Sequence, residues 1–289
     1  MNYGKKGVRA KQKALNSKSQ KWGRKLALTC VKIMLAAVVG IGICGVAAGI
    51  GAFRGILSST PTIRLSDVVA VGEATIVYDK EGNEIDQYVS TNSNRLSVGM
   101  DEIPDYLGKA FVAIEDQRFY QHNGIDVKGI LRAGYQFLKT GGEEAQGAST
   151  ITQQLLKNTV FTDWTSEGNN KIKKIKRKIQ EQYLALEITK YYSKDEILLR
   201  YMNAINLGQN TLGVESASLR YFGKHCSDLT ISECAVIASI TQNPSKYNPI
   251  RHPEENAKRR ETCLKKMLEL GFISPVSYTH LTLPTTERV

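Results

Sequence analysis

Two adjacent acids, Glu115 and Asp116, close an apolar run in "FVAIEDQRFYQHNGID", and Phe119, His122 and Gly124 follow at short intervals. If the helix runs to about Tyr120, Glu115 and Phe119 are i,i+4 neighbours on one face. Gly124 then supplies a positive-φ turn after it. A carboxylate beside aromatic surface at a helix end suits a general base or acid. The blander reading is a solvated acid pair at a helix terminus.

A second stretch, "GASTITQQLLKN", spans 147–158. Ser149 and Thr150 follow a Gly-Ala loop, and Thr150 with Gln153 fits a capping box that opens a helix. Gln153, Gln154 and Lys157 then fall at i, i+1 and i+4, with Asn158 next to them. These donors stand just behind a helix N-terminus, whose free N–H groups attract phosphate. The set offers donors and one cation without an acid, which suits an anionic ligand such as a pyrophosphate. An ordinary polar helix face is the alternative.

The third stretch is "NNKIKKIKRKIQEQYLALEIT", 169–189. Ile172, Ile175, Ile179, Tyr183 and Leu186 recur every three or four residues, the period of an amphipathic helix. Lys174, Arg177, Lys178 and Glu181 share another face. Either this is a solvated face laced with ion pairs, or Glu181 faces a phosphate, or a metal bound to one, from among cations. Near a membrane the cationic face can also meet lipid headgroups.

Several elements must position these residues. "TIVYDKEGNEIDQYV" (75–89) reads as two short strands around the turn residues of "KEGN". From Ile103 the pattern turns helical, with Pro104 near the first start. An Asp126 cap opens a helix that stops before Thr140-Gly141-Gly142, and a Ser193 cap opens another that ends at Gly208. "TISECAVIASI" and "PEENAKRRETCLKKMLELG" are two more. A strand pair followed by seven or eight helices predicts a mainly α extracellular domain over roughly 67–276. The last residues are Thr-rich with little helical period. They read as a disordered tail, or as the point where a larger protein is cut or native sequence stops.

Charge divides the chain. Eleven of the 39 Lys and Arg precede or include Arg54, and no acid precedes Asp67. The remaining basic residues equal the 28 acids, so the net +11 sits in the N-terminal arm. Residues 33–53, "IMLAAVVGIGICGVAAGIGAF", are free of charge. About 20 apolar residues cross a bilayer core of roughly 30 Å. The basic arm before this span is expected to stay cytoplasmic, which makes it an uncleaved signal anchor. A nucleic-acid partner is set aside because anionic headgroups are the simpler partner for such an arm. Gly45 and Gly49 form a weak GxxxG pair. Five Cys without a CxxC and four scattered His indicate neither a disulfide framework nor a His-based metal site.

Together the stretches resemble the peptidoglycan glycosyltransferase domain (glycosyltransferase family 51) of class A penicillin-binding proteins and their monofunctional relatives. The family's first motif, Glu-Asp-x-x-Phe-x-x-His-x-Gly, is met by Glu115, Asp116, Phe119, His122 and Gly124. The second is met by Gly147, Ser149, Thr150, Ile151, Thr152, Gln153, Gln154, Lys157 and Asn158, and the third by Arg177, Lys178 and Glu181. The fourth and fifth match at Tyr201, Asn203, Gly213, Tyr221, Phe222 and Gly223, and "NPSKYNPIRHPEENAKRR" fits the domain's end. The likeness covers about 73–275. Leu199 and Ile188-Thr189 depart from the family pattern. The segment from Asn158 to Arg177 is longer than in the family, so its phosphate-binding Arg is unassigned. Lys171, Lys173 or Lys174 are the stand-ins.

The resemblance implies a mainly α, lysozyme-like glycosyltransferase domain with a small N-terminal strand pair, preceded by one transmembrane helix. Its parts are a basic arm (1–32), the anchor (33–53), a linker (54–72), the domain (73–275) and a tail (276–289). It implies polymerisation of lipid II into β-1,4 glycan with inversion and release of undecaprenyl pyrophosphate. Glu115 would be the base and Glu181 a second catalytic residue, holding pyrophosphate directly or through a divalent metal, Mg or Mn. No organic cofactor is implied. Substrate contacts would come from Asp116, Phe119, His122, Gly124, Ser149, Thr150, Gln153, Gln154, Lys157, Asn158, Arg177, Lys178 and Asn203. Partners would be lipid II, the growing glycan, membrane lipids and other cell-wall synthesis and division proteins. The stretch 130–142 is expected to dip into the bilayer or else to pack in the core. A lytic hydrolase would also use a Glu on a helical fold, but without the cationic clusters. A non-catalytic scaffold would not need both acids. No Ser-x-x-Lys acylation site with companion motifs occurs, so penicillin binding by this chain is not expected.

Overall fold

The structure is a computed structural model. It describes residues 4–15, 18–70, 72–89, 94–140, 147–168 and 170–282. The chain forms two units, Met1–Thr60 and Pro61–Val289.

The first unit holds α1 (Lys5–Leu15) and α2 (Lys18–Ser58). Within α2, Trp22–Ser58 is apolar enough and long enough to cross a membrane. The helix therefore runs past both ends of the expected 33–53 span. Its most apolar part is not buried within the protein.

In the second unit, β1 (Thr75–Tyr78) and β2 (Glu84–Tyr88) pair antiparallel, from Thr75 opposite Tyr88 to Tyr78 opposite Glu84. Their turn is built by Asp79, which accepts from the backbone N–H groups of Glu81 at 2.9 Å and Asn83 at 2.8 Å. Nine α-helices follow among the described residues. They are α3 (Asp105–Glu115), α4 (Val127–Thr140), α5 (Ile151–Thr159), α6 (Lys171–Ile188), α7 (Lys194–Ala204), α8 (Val214–Phe222), α9 (Ile231–Ile240), α10 (Pro253–Glu269) and α11 (Pro275–Thr282). The unit is mainly helical, as expected, with one or two helices more than the sequence suggested.

The extra element is α11, which stands where a tail without helical period was expected. Tyr278 and Leu281 pack against the core, and apolar contact makes a helix of a segment with weak periodicity. Residues 283–289 lie outside the described residues, as do Gly141 and Gly142 of the expected stop after α4. The helix opened by Ser193 ends at Ala204 rather than Gly208, because Ile205 leaves the helical region.

The core is centred on α3, which packs against α7, α9 and α10. Leu107, Ala110, Phe111, Val112, Ala113 and Ile114 are all buried. A helix buried on nearly every side is a rigid strut, and it ends at Glu115. On the other side α5 packs against α6 and α7. Local caps fix where the helices begin: Thr150 accepts from the Gln153 N–H, while Ser193 and Thr230 form full capping boxes with Glu196 and Glu233.

The orientation of α6 differs from that of an ordinary amphipathic helix. Its buried residues are Gln180, Glu181, Leu184, Ala185 and Ile188. The periodic apolar residues lie on the opposite side, with Ile172 80% and Ile175 59% exposed. In α4 only Gly129 is buried, and Leu131, Tyr135 and Leu138 face out.

Candidate active site

The helix carrying Glu115 stops there, not at Tyr120. Asp116 takes φ −153° and ψ 75°, and Phe119–Gln121 forms a separate single turn. Glu115 and Phe119 therefore do not share a helical face. Phe119 is fully buried, with the Lys194 ammonium 4.4 Å from its ring centre. The cause of the break is Asp116. Its carboxylate lies 3.0 Å from His122 Nε2 and accepts from the Ile151 N–H at 3.1 Å. Those bonds tie the end of α3 to the start of α5, and they need the chain to leave the helix at Asp116.

Gly124 completes the tie. Its φ is +88°, and a Cβ there would stand 2.3 Å from the Ala185 carbonyl oxygen on α6. Its own carbonyl accepts from Thr150 Oγ1 at 2.7 Å. Thr150 thus donates to the turn of Gly124 and caps α5 with the same oxygen. Asp116, His122, Gly124 and Thr150 hold the site together.

Glu115 is presented differently. Its Oε2 accepts from Gln154 Nε2 at 2.7 Å. Its Oε1 accepts from Thr241 Oγ1, at the C-terminal end of α9, and lies 3.9 Å from Arg259 of α10. Gln154 Oε1 in turn accepts from the Tyr201 hydroxyl at 3.2 Å. Burial, then Glu115 and Asp116, push the Tyr201 phenol far above its ordinary range, so it stays a neutral donor. The side chain of Glu115 is 13% exposed and opens on a cleft.

The cleft has a volume of about 1170 Å³. One side carries Lys157, Lys178, Ser149 and Asn158, with Trp164. Lys157 Nζ sits 3.5 Å from the Trp164 ring centre. Burial, then Arg177 and Lys178, lower the Lys157 pKa. Lys178 Nζ donates to Ser149 Oγ at 3.0 Å and to Glu181 Oε2 at 2.7 Å. Glu181 is fully buried, and its other oxygen accepts from Arg177, which also donates to Glu167 at 2.8 Å. Glu181 is therefore the counter-charge that holds two cations in place, rather than a group facing the cleft.

The expected site residues accordingly separate. Glu115, Asp116, Ser149, Thr150, Gln154, Lys157, Asn158 and Lys178 line one cleft. Phe119, His122, Gly124, Gln153, Arg177, Glu181 and Asn203 are not part of its lining. Gln153 is 2% exposed and its amide nitrogen is buried without a partner. Of the expected capping box, the half formed is the Thr150 side chain accepting from the Gln153 N–H. Asn203 pins the segment before α3, donating to the Val98 carbonyl and accepting from the Val98 N–H. Lys171, Lys173 and Lys174, the stand-ins for a phosphate-binding Arg, are exposed and outside the lining.

Sequence reasoning passed over Thr241, Arg118, Arg132, Arg259 and Lys266, which also line the cleft. Arg118 is held by Asp126 at 2.5 Å. Arg259 lay within the quoted "AKRR" run, and its pairing with an acid of the first motif was the missing signal. A divalent metal does not fit Glu181, since both of its oxygens are already bonded to cations. Among the described residues no three His, Cys, Asp or Glu side chains converge to hold one.

A family model described as Transglycosylase matches residues 81–268. The chain is 39% identical over 277 residues to Penicillin-binding protein 1A of Clostridium perfringens (strain ATCC 13124), covering 93% of this chain and 32% of that relative. It is 41% identical over 198 residues to Penicillin-binding protein 1F of Bacillus subtilis (strain 168), covering 68% and 26%. A crystal structure of Penicillin-binding protein 1A from Haemophilus influenzae matches with a TM-score of 0.37 at 22% identity, over 75% of this chain and 21% of that one. The chain spans about a third of the length of the Clostridium relative. The family match takes in every residue placed around the cleft, from Glu115 to Lys266, and the chain belongs to the transglycosylase family.

Proposed function

We propose that this chain is a membrane-anchored peptidoglycan glycosyltransferase that polymerises lipid II. The observation that carries the reading is Glu115: a carboxylate held by Gln154 and Thr241, open to a cleft whose other side carries Lys157 and Lys178. A base and an anion site share one cavity, as transfer of a sugar from a lipid pyrophosphate requires.

In this reaction Glu115 takes the proton of the acceptor sugar's 4-hydroxyl. The oxygen attacks the donor anomeric carbon from the face opposite the pyrophosphate, so the α linkage becomes β. Lys157 and Lys178 meet the charge that develops on the departing undecaprenyl pyrophosphate, a donor arrangement fixed before the reaction begins. Arg177 and Glu181 act through Lys178 by holding it. No step runs through a metal.

The substrate is a lipid, and α2 is suited to keep the domain at the bilayer, with the basic N-terminal arm on the cytoplasmic side. The exposed apolar face of α4, with Leu131 69% and Leu138 82% exposed, suits contact with the membrane. Core packing, the other expectation for this stretch, does not apply to it.

The test is polymerisation of labelled lipid II by the detergent-solubilised chain and by Glu115→Gln. Glycan from the first and none from the second is expected. No product from the unaltered chain, or equal product from both, overturns the reading. Release of fragments from finished peptidoglycan would instead indicate a hydrolase.

A further inference from the structure

Helix α6 is turned inside out. At 3.6 residues per turn, Ile172, Ile175, Ile179, Tyr183 and Leu186 form a single stripe. Ile172 is 80%, Ile175 59%, Tyr183 41% and Leu186 41% exposed, and Ile179 is half-buried. The opposite face is buried and carries Glu181 with its two cations. A stripe of this length is ordinarily what anchors a helix to its core. Here the core uses the other side.

The surroundings of the stripe say what covers it. Lys171, Lys173, Lys174 and Lys176 are all exposed, and none forms an ion pair among the described residues. No acid lies between Lys171 and Arg177. At 3.6 residues per turn Lys171 and Lys176 stand on either side of the stripe, while Lys173 and Lys174 turn toward the other face. An apolar stripe flanked by unpaired lysines matches an interface that is apolar below and anionic above, because the ammonium groups reach headgroups while the branched chains enter the acyl boundary. A protein face would be expected to bring acids to the lysines and polar groups to the rim. The same helix carries Lys178 into the cleft, and the chain has its own span-length apolar helix.

We propose that the outer stripe of α6 lies on the surface of a bilayer containing anionic phospholipid, as a contact separate from α2 and α4. The position of the helix, not the formation of product, is the readout, so the proposal stands or falls independently of the reaction above.

The full chain is reconstituted in vesicles with a nitroxide at Ile172→Cys in a Cys30→Ser, Cys44→Ser background. The other three thiols are buried, and burial pushes those of Cys234 and Cys263 up to about 12, so they resist labelling. In vesicles of phosphatidylglycerol and phosphatidylcholine, the label is expected to collide often with oxygen and rarely with a water-soluble nickel chelate. In phosphatidylcholine alone the nickel collisions should rise severalfold. Replacing Lys171 and Lys176 by Glu should give the same rise in the anionic vesicles. Both side chains are exposed, so this variant keeps its fold, checked by its melting temperature. A label open to nickel in anionic vesicles overturns the proposal. So does one shielded from both reagents, which means that protein covers the stripe. Equal burial in both lipids removes the role of the anionic headgroups and overturns it as well.

Discussion

The amide of Gln154 donates to Glu115 at 2.7 Å while its carbonyl accepts from Tyr201 at 3.2 Å. The two bonds form one chain. A glutamine amide can flip by half a turn, and the carboxylate, which only accepts, selects the orientation that offers it an N–H. The fully buried Tyr201 hydroxyl donates to the carbonyl that this orientation turns toward it and so braces the amide. Tyr201→Phe is therefore expected to lower kcat severalfold with KM little changed and a loss of about 1 kcal/mol in stability. Steady-state polymerisation and urea unfolding check both.

Glu115→Gln keeps the size of the side chain but removes the base. The rate of polymerisation should fall by about 10²–10⁴-fold, the range of a positioned acid or base. Substrate binding, measured on vesicles, should be retained. A fall in binding of the same size would mean that Glu115 holds the substrate rather than taking its proton.

Gly124→Ala tests the tie between α3, α5 and α6. The new methyl would sit 2.3 Å from the Ala185 carbonyl oxygen on a backbone at φ +88°. Neither problem is relieved by moving a flexible side chain. A loss of about 2–3 kcal/mol is expected, read as a lower melting temperature. Activity should fall with it, as the strained turn shifts the residue-124 carbonyl away from the Thr150 hydroxyl.

Glu181 separates structure from contact. If it is the counter-charge of Arg177 and Lys178, Glu181→Ala leaves Arg177 with Glu167 alone and Lys178 without an acid, and costs about 3 kcal/mol. A second change, Lys178→Met on the Glu181→Ala background, should recover part of that stability without recovering activity. Independent losses that simply add would count against the counter-charge role.

The pair Glu215 and His225 predicts a pH dependence of folding. Burial raises the Glu215 carboxyl, but donors from Cys226 at 2.8 Å and His225 at 2.6 Å outweigh it and leave it below 4.5. The bond to Glu215 lifts His225 above 6.5. Glu215 contributes stability above 4.5 that is lost as pH falls through its lowered value. His225 contributes below 6.5, and that part is lost as pH rises through its raised value. The bond thus matters most between those limits. His225→Ala should lower the melting temperature at about pH 5.5 and hardly at all at about pH 9. The effect should be small, because the imidazole is exposed.

Much of this was legible because it is local. The caps at Thr150, Ser193 and Thr230 bond to residues three positions on. Asp79 builds its turn within four residues, and Gly124 announces its own φ. The acid pair and the cationic stretches were legible as types. What could not be read was which of two neighbours faces the site. Gln153 and Gln154 are one residue apart, and packing of α5 against α6 and α7 buries one and presents the other. Thr241 and Arg259 are far from Glu115 in sequence, so only the meeting of α3, α9 and α10 shows that they hold it. The break after Glu115 was missed because Asp116 finds its partner on another helix, 35 positions away. The face of α6 was misleading for a physical reason: periodicity reports that a helix has two sides, not which side water sees.

That last feature bears on how this chain tolerates change. At most positions, apolar residues are kept because the fold needs them. Along the outside of α6 the two demands come apart. A polar residue in place of Ile172 removes no core contact, so a screen for folding would pass it as silent. Any selection that acts on the outer surface would still see it. The molecule thus has a row of positions whose record of substitution reads out the environment of the domain rather than its stability.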